Sequence, residues 1–195
     1  IMNFGDISIM SFHSTKLFHS IEGGALVFKD ERLYEKAQKM INFGIVSPLE
    51  IAELGINCKM NEFQAAMGLC VLDDINEIRS CREVRYQYYK SKLEPVSDLE
   101  LQQRSEFGTN NFSHFPVLFP SETILLKAEA RLHELGVVPR RYFYPSLNKL
   151  PYLDNYQPAP VSESIAERIL CLPLFHDIER ETQDLIIKTV IDSLL

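Results

Sequence analysis

The chain begins with two short apolar segments and a helical pattern. Residues 6–12 alternate between apolar and polar side chains and then become apolar, which predicts a buried strand. Residues 25–28 predict a second short strand, and the EGG sequence at 22–24 is typical of a turn with unusual backbone angles. Asp30 then predicts the N-cap of a helix, whose apolar face consists of Leu33, Ala37 and Met40.

A long helical pattern follows a loop-like stretch over residues 45–57. Apolar residues recur at steps of three and four from about residue 61 to 93, which predicts one long helix ended by Pro95. Its second half is rich in charge, which indicates a helix that leaves one domain and enters another. The apolar positions are Phe63, Ala66, Met67, Cys70, Ile75, Ile78, Val84 and Tyr88.

The remainder has the pattern of a small α/β unit. Residues 115–119 predict a strand, and Ser121 predicts the N-cap of the helix that follows it. Apolar residues between 137 and 144 predict another strand, after which the chain continues as a proline-rich connection. Residues 169–172 form a short apolar run, and a last helix carries Leu185, Ile186, Val190, Ile191 and Leu194.

Composition and charge exclude several classes of protein. The 195 residues are 46% hydrophobic and 24% charged, as in an ordinary globular chain, so long disorder and fibres are excluded. The net charge of −7 repels nucleic acid and anionic membranes, so a phosphate-bearing ligand needs local basic residues. No window approaches the roughly 18 apolar residues of a membrane helix, and the first residues lack a signal peptide's basic region. We therefore expect a cytoplasmic protein that binds neither nucleic acid nor membrane.

The cysteines and histidines give no sign of a metal site. The five histidines form no HxxxH or HExxH pair, and the cysteines form no CxxC pair. Free, buried thiols in a reducing compartment are the expected state of the cysteines. They are Cys58, Cys70, Cys81 and Cys171.

Lys16 is the first candidate for chemistry. It follows the first predicted strand and precedes the glycine turn. A lysine held at the end of a buried strand loses solvation, and this disfavours the charged ammonium. The neutral amine can then condense with a carbonyl group. A solvated surface lysine is the open alternative, because most lysines are exposed.

Several motifs carry a resemblance to a known family. They read SFHSTK at residues 11–16, EGGA at 22–25 and GINCKMNEFQAA at 55–66. The agreement continues through RRYFYP at 140–145 and LCLPL at 170–174, and so covers essentially the whole chain. In order and spacing these motifs closely resemble the DegT/DnrJ/EryC1/StrS family, whose members are sugar aminotransferases dependent on pyridoxal phosphate (PLP).

The resemblance implies an α/β fold that forms the C-terminal part of a fold-type-I PLP-dependent transferase. Such a part comprises the end of the large-domain sheet, a long linking helix and a small α/β domain. Residues 1–78 are then the C-terminal portion of the PLP-binding large domain, and residues 79–195 the small domain. The resemblance also implies a homodimer with shared active sites.

The resemblance also implies residues that hold the cofactor. Lys16 matches the lysine that binds PLP covalently and then shuttles the proton between substrate and cofactor. Ser11 matches a hydroxyl that binds the cofactor phosphate, although a strand serine bonded to backbone is the alternative. Asn57 matches an asparagine that reaches into the neighbouring subunit and contacts the same phosphate.

Further residues are implied at the substrate. His13 either lines the site or packs beside it, and Glu22 is expected to be structural. Lys59 stands where many members carry arginine, so it can meet a carboxylate or phosphate only as a point charge. Near the sugar nucleotide the family places the positions of Arg140, Arg141, Tyr142 and Tyr144. The two arginines can offset a diphosphate, with a solvated strand edge as the alternative.

The reaction implied is transfer of an amino group from L-glutamate to a keto-sugar nucleotide. Relatives with histidine in place of this lysine are sugar dehydratases, so Lys16 favours transamination. FHSIEGG at 18–24 together with RRYFYP looks most like enzymes acting on dTDP-4-keto-6-deoxyglucose. The product is then an amino sugar for a surface polysaccharide, such as lipopolysaccharide O-antigen, or for a glycosylated metabolite.

One part of the expected site is not accounted for. In this family the acidic partner of the pyridine nitrogen lies well before the lysine, whereas fifteen residues precede Lys16 here. We therefore expect the segment by itself to hold the cofactor poorly, to turn over no substrate and to expose an apolar patch. A non-catalytic fragment that only dimerises and a regulatory family member are the alternatives.

Overall fold

The structure is a computed structural model that describes residues 4–103, 105 and 107–195. The chain divides into two compact units, Ile1–Asn76 and Glu77–Leu195.

The first unit contains two small antiparallel hairpins and a short helix. β1 (Ile7–Ser11) pairs with β2 (Gly24–Phe28), with Ile7 opposite Phe28 and Ser11 opposite Gly24. These two strands and α1 (Glu31–Met40), which follows them, confirm the predicted elements. The loop-like stretch 45–57 contains the short hairpin of β3 (Ile45–Ser47) and β4 (Glu50–Ile51). The long helix α2 (Glu62–Leu93) begins in this unit, as predicted.

Local capping bonds explain where the helices of this unit begin. The Asp30 carboxylate accepts the Arg32 backbone N–H at 2.9 Å, which confirms the predicted cap of α1. Before α2, the Gln64 N–H donates to the Asn61 side chain at 2.9 Å, and the Asn61 N–H donates to the Gln64 side chain at 3.0 Å. This reciprocal capping box fixes the start of α2 within the GINCKMNEFQAA motif.

The described part of the first unit has no closed apolar core. Among residues 4–76 the structure buries Ser20, Gly44 and Gly68 but no apolar side chain. The prediction that the first strand is buried is wrong, since β1 alternates between exposed and half-buried residues and Ile9 is 76% exposed. The physical reason is that a ribbon of two strands buries little of either face.

The second unit is built on a three-stranded antiparallel sheet. Its order is β5 (Glu100–Leu101), β6 (Phe115–Leu118) and β7 (Ile169–Leu172), with Phe115 opposite Leu172. Three helices accompany the sheet: α3 (Glu122–Glu134), α4 (Pro160–Arg168) and α5 (Arg180–Asp192). A 3₁₀ turn spans Leu147–Lys149. The strand at 115–119, the helix after Ser121 and the last helix are thereby confirmed.

Side chains from the sheet, from α3 and α5 and from the second half of α2 form one buried cluster. Tyr89, Leu93, Val117 and Leu170 are fully buried within it. The Ser121 hydroxyl caps α3 by accepting the Ile124 N–H at 3.3 Å, as the sequence predicts. This cluster is the hydrophobic core of the second unit. Burial of its apolar side chains is the main contribution to the stability of that unit.

The predicted strand between residues 137 and 144 is absent from the described structure. Arg140 alone pairs there, and its backbone N–H and C=O bond Cys171 at 3.0 and 2.8 Å. Pro139 and Pro145 carry no N–H, so they cannot extend a ladder in either direction. Helix α4 lies within the segment predicted to be a proline-rich connection, so the pattern does not predict it. It begins at Pro160, and proline is favoured in the first turn of a helix.

The cysteine expectation is confirmed only in part. All four thiols are free, but Cys171 alone is buried, Cys81 is half-buried, and Cys58 and Cys70 are exposed. Burial raises the pKa of the Cys171 thiol to about 11. Within the described ranges, no helix is long and apolar enough to cross a membrane, and no group of three metal-ligating side chains comes together.

Candidate cofactor and substrate sites

Lys16 lies in the turn that follows β1. Its backbone N–H donates to the His13 carbonyl at 2.9 Å, which closes the turn. Its side chain is exposed, and its ammonium makes no hydrogen bond or ion pair with any residue that the structure describes. The prediction that water is scarce around this amine is wrong for the described chain, because the strand that precedes it is itself uncovered.

His13 holds the turn in place. The Thr15 backbone N–H donates to Nδ1 of the imidazole at 3.3 Å, and the Thr15 hydroxyl lies 2.9 Å from the same nitrogen. A ring nitrogen that accepts an N–H carries no proton, so Nε2 is protonated in the neutral ring. Nε2 lies 3.5 Å from the Glu22 carboxylate, which connects the Lys16 turn to the glycine turn before β2.

Ser11 ends β1 at the edge of a cavity. Its hydroxyl accepts the His13 N–H at 3.4 Å, and the residue lines a cavity of about 640 Å³ together with Gly23, Gly24 and Lys59. A Cβ on Gly24 would lie 2.7 Å from the Met10 carbonyl oxygen, so only glycine permits this approach of the two strands. This close pairing sets Gly24 opposite Ser11 at the edge of the cavity.

Lys59 places one cation on the wall of this cavity. It is the one charged residue among the described residues that line the cavity. Its ammonium donates to the Asn42 side-chain oxygen at 3.0 Å and lies 4.7 Å from the centroid of the Phe43 ring. These two contacts orient a point charge that can meet a carboxylate or a phosphate.

The predicted residues of the first unit do not all meet at the cavity. Ser11 and Lys59 line it, whereas Lys16 and His13 lie in the adjoining turn and are not among the lining residues. Asn57 is exposed, and its backbone bridges Asn42. An exposed Asn57 is open to contact from another chain.

Sequence reasoning missed the wall that α1 contributes. Tyr34 and Gln38 line the cavity, and the Gln38 amide donates to the Tyr34 hydroxyl at 2.8 Å. Their spacing of four residues places both on one face of the helix. That spacing was the signal available in the sequence, but a helix-surface polar pair is too common to indicate a site.

In the second unit, Arg140 lies beside an aromatic pair. Its guanidinium donates to the Tyr142 hydroxyl at 3.0 Å and is exposed. It forms no ion pair with a carboxylate of the described chain, so its charge is available to an anion. The His114 ring stands edge-on to the Tyr142 ring, with 5.2 Å between the ring centroids. No motif of the sequence singles out this neighbour.

Arg141 has partners inside the unit. It forms an ion pair with Glu122 at 2.8 Å, donates to the Glu167 carbonyl at 3.0 Å and lies 3.8 Å from the centroid of the Tyr144 ring. Its side chain is only 14% exposed. The two neighbouring arginines therefore differ, since one faces solvent and the other is used for internal contacts.

The family model described as the DegT/DnrJ/EryC1/StrS aminotransferase family matches residues 1–191. The chain belongs to this family. A curated relative from Shigella dysenteriae, dTDP-4-amino-4,6-dideoxy-D-glucose transaminase, is 32% identical over 195 residues. The match covers 97% of this chain and 53% of the relative, so the chain spans about half the length of the curated relatives it matches.

Two solved structures that match nearly the whole chain share its fold. The aminotransferase TlmJ from Streptoalloteichus hindustanus is 25% identical with a TM-score of 0.89, over 97% of this chain and 52% of TlmJ. DesI, solved in the presence of its TDP-sugar product, is 31% identical with a TM-score of 0.83, over 97% of this chain and 49% of DesI. The mixed α/β chain is thus part of a fold-type-I PLP-dependent transferase fold, as the motifs predict.

Proposed function

We propose that this chain belongs to a PLP-dependent enzyme that transfers an amino group from L-glutamate to a keto-sugar nucleotide. The proposed acceptor is dTDP-4-keto-6-deoxyglucose. The observation that carries the proposal is the turn that joins Lys16 to Ser11, a residue on the wall of a cavity that also holds the Lys59 cation, in a chain that belongs to an aminotransferase family. The name of the Shigella relative supports the choice of sugar.

The residues of the first unit fit PLP. The Ser11 hydroxyl and the side-chain-free Gly23 and Gly24 border open space that can take a phosphate. The Lys16 amine has no competing partner among the described residues, so it is available to bind the cofactor aldehyde. When bound, PLP draws electrons from the reacting carbon and so stabilises the charge left when a proton departs.

Lys16 would move the proton in both halves of the reaction. Its Nζ accepts a proton from the α-carbon of glutamate, and it later delivers a proton to the sugar carbon that receives the nitrogen. Accepting the proton requires the neutral amine, and the ammonium that results is the form that delivers it. Covering the exposed apolar surface around β1 would remove water from Lys16 and favour the neutral form.

The other charged groups would bind the substrates. Lys59, oriented by Asn42 and Phe43, is placed to take the donor carboxylate. His13 would line the site from the turn that carries Lys16. For the sugar nucleotide we assign the segment that contains Arg140, Arg141, Tyr142 and Tyr144, where the solvent-facing guanidinium of Arg140 is available to the diphosphate.

The proposed assembly is a cytoplasmic homodimer that binds no metal. Asn57 of one subunit would contact the cofactor phosphate of the other. Residues 1–78 would serve as part of the PLP-binding large domain and residues 79–195 as the small domain. The product would enter a surface polysaccharide such as O-antigen or a glycosylated metabolite.

A second candidate is a non-catalytic fragment that only dimerises. The exposure of Ile9, Leu54 and Phe63 in the first unit favours it, because such side chains need a partner surface. An activity assay separates the two candidates. The chain is mixed with the N-terminal half of the Shigella relative and supplied with PLP, L-glutamate and dTDP-4-keto-6-deoxyglucose, and 2-oxoglutarate is measured.

We expect turnover in the mixture, none with the chain alone and none in Lys16→Ala. Lys29→Ala is the matched control, because it removes another exposed lysine of the same unit, and it should keep the activity. A mixture without turnover that still sediments as a dimer would support the non-catalytic fragment. Turnover that survives Lys16→Ala would contradict the assigned role of this amine.

A further inference from the structure

Helix α4 touches the aromatic segment 142–145 on both of its flanks. Before the segment, the Arg141 guanidinium donates to the carbonyls of Ala166 and Glu167 at 3.4 and 3.0 Å, in the last turn of α4. After the segment, the buried Ser146 hydroxyl lies 2.7 Å from the Ser162 hydroxyl in the first turn. The cation near the helix C-terminus also matches the partial negative charge of that end.

The Glu163 carboxylate contacts several residues of the loop that follows the segment. Its Oε1 accepts the Asn148 side-chain amide at 2.7 Å, the Tyr156 hydroxyl at 2.8 Å and the Ala159 backbone N–H at 3.0 Å. Its Oε2 lies 3.1 Å from the Lys149 ammonium. Four donors spread over twelve residues of chain thus converge on one side chain that is only 16% exposed.

These anchors shape the segment between them. The contacts on α4 at Ser162 and Ala166 are four residues apart, which is about 6 Å along a helix. The chain from Arg141 to Ser146 would reach roughly 17 Å if extended, so it must bow away from the helix. Phe143 and Tyr144 are accordingly 65% and 51% exposed.

We propose that α4 is a clamp that presents the 142–145 segment to the sugar nucleotide, with Glu163 as its principal positioning residue. The proposal rests on the proposed function, since it takes the sugar nucleotide as the ligand of this segment. Arg141 then acts at the other flank by holding the chain, while the exposed Arg140 is left to meet the diphosphate. Neither Glu163 nor Ser162 touches the ligand in this arrangement.

The test compares two isosteric changes on the same helix. Glu163→Gln keeps the shape but removes the charge that faces Lys149 and the other donors. Glu167→Gln is the matched control, because Glu167 is 47% exposed and its carboxylate lies only within 3.7 Å of Lys149. Both variants of the full chain are measured for amide hydrogen exchange, for affinity to dTDP-glucose by calorimetry and for thermal unfolding.

We expect Glu163→Gln to speed exchange over residues 142–158 and to weaken dTDP-glucose binding by roughly tenfold, the scale of one lost hydrogen bond to a charged group. Its unfolding temperature should change little, and Glu167→Gln should bind as the wild type does. Tyr156→Phe removes a single donor and should weaken binding by a smaller factor, which provides the test if Glu163→Gln fails to fold.

If amide exchange over residues 142–158 is unchanged in Glu163→Gln, then Glu163 does not hold the segment. That result would overturn the clamp for any ligand. Faster exchange with unchanged dTDP-glucose affinity would overturn the positioning role alone. A wild-type chain that binds no dTDP-glucose would overturn the proposed substrate class and the positioning role together, while leaving the exchange result to be judged separately. The two failures are thereby distinguishable.

Discussion

In the second unit, apolar side chains such as Phe115 and Leu170 are fully buried in one cluster, whereas in the first unit Ile9, Phe63 and Leu72 lie exposed. The first unit nevertheless carries the Lys16 turn and the cavity lined by Ser11. Stability and candidate chemistry are therefore separated along the chain. Contacts with α4 hold both flanks of segment 142–145 within the second unit. In the first unit, by contrast, an outside surface would be needed to exclude water from the Lys16 amine.

The largest expected contrast comes from truncating one phenylalanine in each unit. Phe115→Ala opens a cavity in the core and should lower the free energy of unfolding by about 3–5 kcal/mol. Phe63→Ala removes a side chain that is 85% exposed and should change it by no more than about 0.5 kcal/mol. Urea denaturation followed by circular dichroism measures both values. Equal losses would show that the first unit also holds a core.

Hydrogen exchange should separate the two sheets. The amides that pair β6 with β7 should exchange roughly a hundredfold more slowly than those that pair β1 with β2, because exchange follows local opening. Addition of the N-terminal half of the Shigella relative should slow exchange in β1 and β2 and leave β6 and β7 unchanged. Similar rates in both sheets of the chain alone would contradict the contrast.

Removing one helix cap in each unit gives a smaller effect. Ser121→Ala removes the cap of α3, which packs on the core, and should lower the free energy of unfolding by about 1 kcal/mol. Asp30→Ala removes the matching cap of α1, which has no buried residue, and should leave the main unfolding transition unchanged. A shift of that transition by Asp30→Ala would mean that α1 folds together with the core.

The smallest expected effect is the response of the Glu163 clamp to mild acid. The Ala159 N–H, followed by Asn148, Tyr156 and Lys149, lowers the pKa of Glu163 from 4.5 to about 2. Because the folded pKa is depressed, the stabilising contribution is fully present above pH 4.5 and is lost as the pH falls toward 2. Proteolysis of residues 146–159 by an acid-active protease should therefore stay slow between pH 5 and pH 4.5 and rise below it. Release of the loop already at pH 5 would contradict these contacts.

Local signals made much of the fold predictable from the sequence. Helix α2, the caps at Asp30 and Ser121 and the strand at 115–119 follow from periodicity and from side chains that bond their own backbone. Helix α4 was missed because its prolines suggest a connection, although Pro160 occupies a position at the start of the helix where proline is favoured. The strand at 137–144 was predicted from apolar content alone. Apolar content takes no account of Pro139 and Pro145, which lack the N–H groups that a ladder needs.

The candidate site was predictable in its motifs but not in its surroundings. The motif places Ser11 and Lys16 within one turn, and the structure shows that turn held by His13. Burial of Lys16 was not predictable, because it depends on which surfaces cover β1 rather than on the residues near the lysine. The internal use of Arg141 was hidden for the same reason, since its partners Glu122 and Glu167 are remote in sequence.

We propose above that PLP binds covalently to the Lys16 amine. This proposal is tested most directly by adding PLP to the chain mixed with the N-terminal half of the Shigella relative, reducing with borohydride and mapping the modified peptide by mass spectrometry. We expect one phosphopyridoxyl group on Lys16 and no label at this position in Lys16→Ala. A label that falls on Lys59 or is spread over exposed lysines, with Lys16 unmodified, would contradict it.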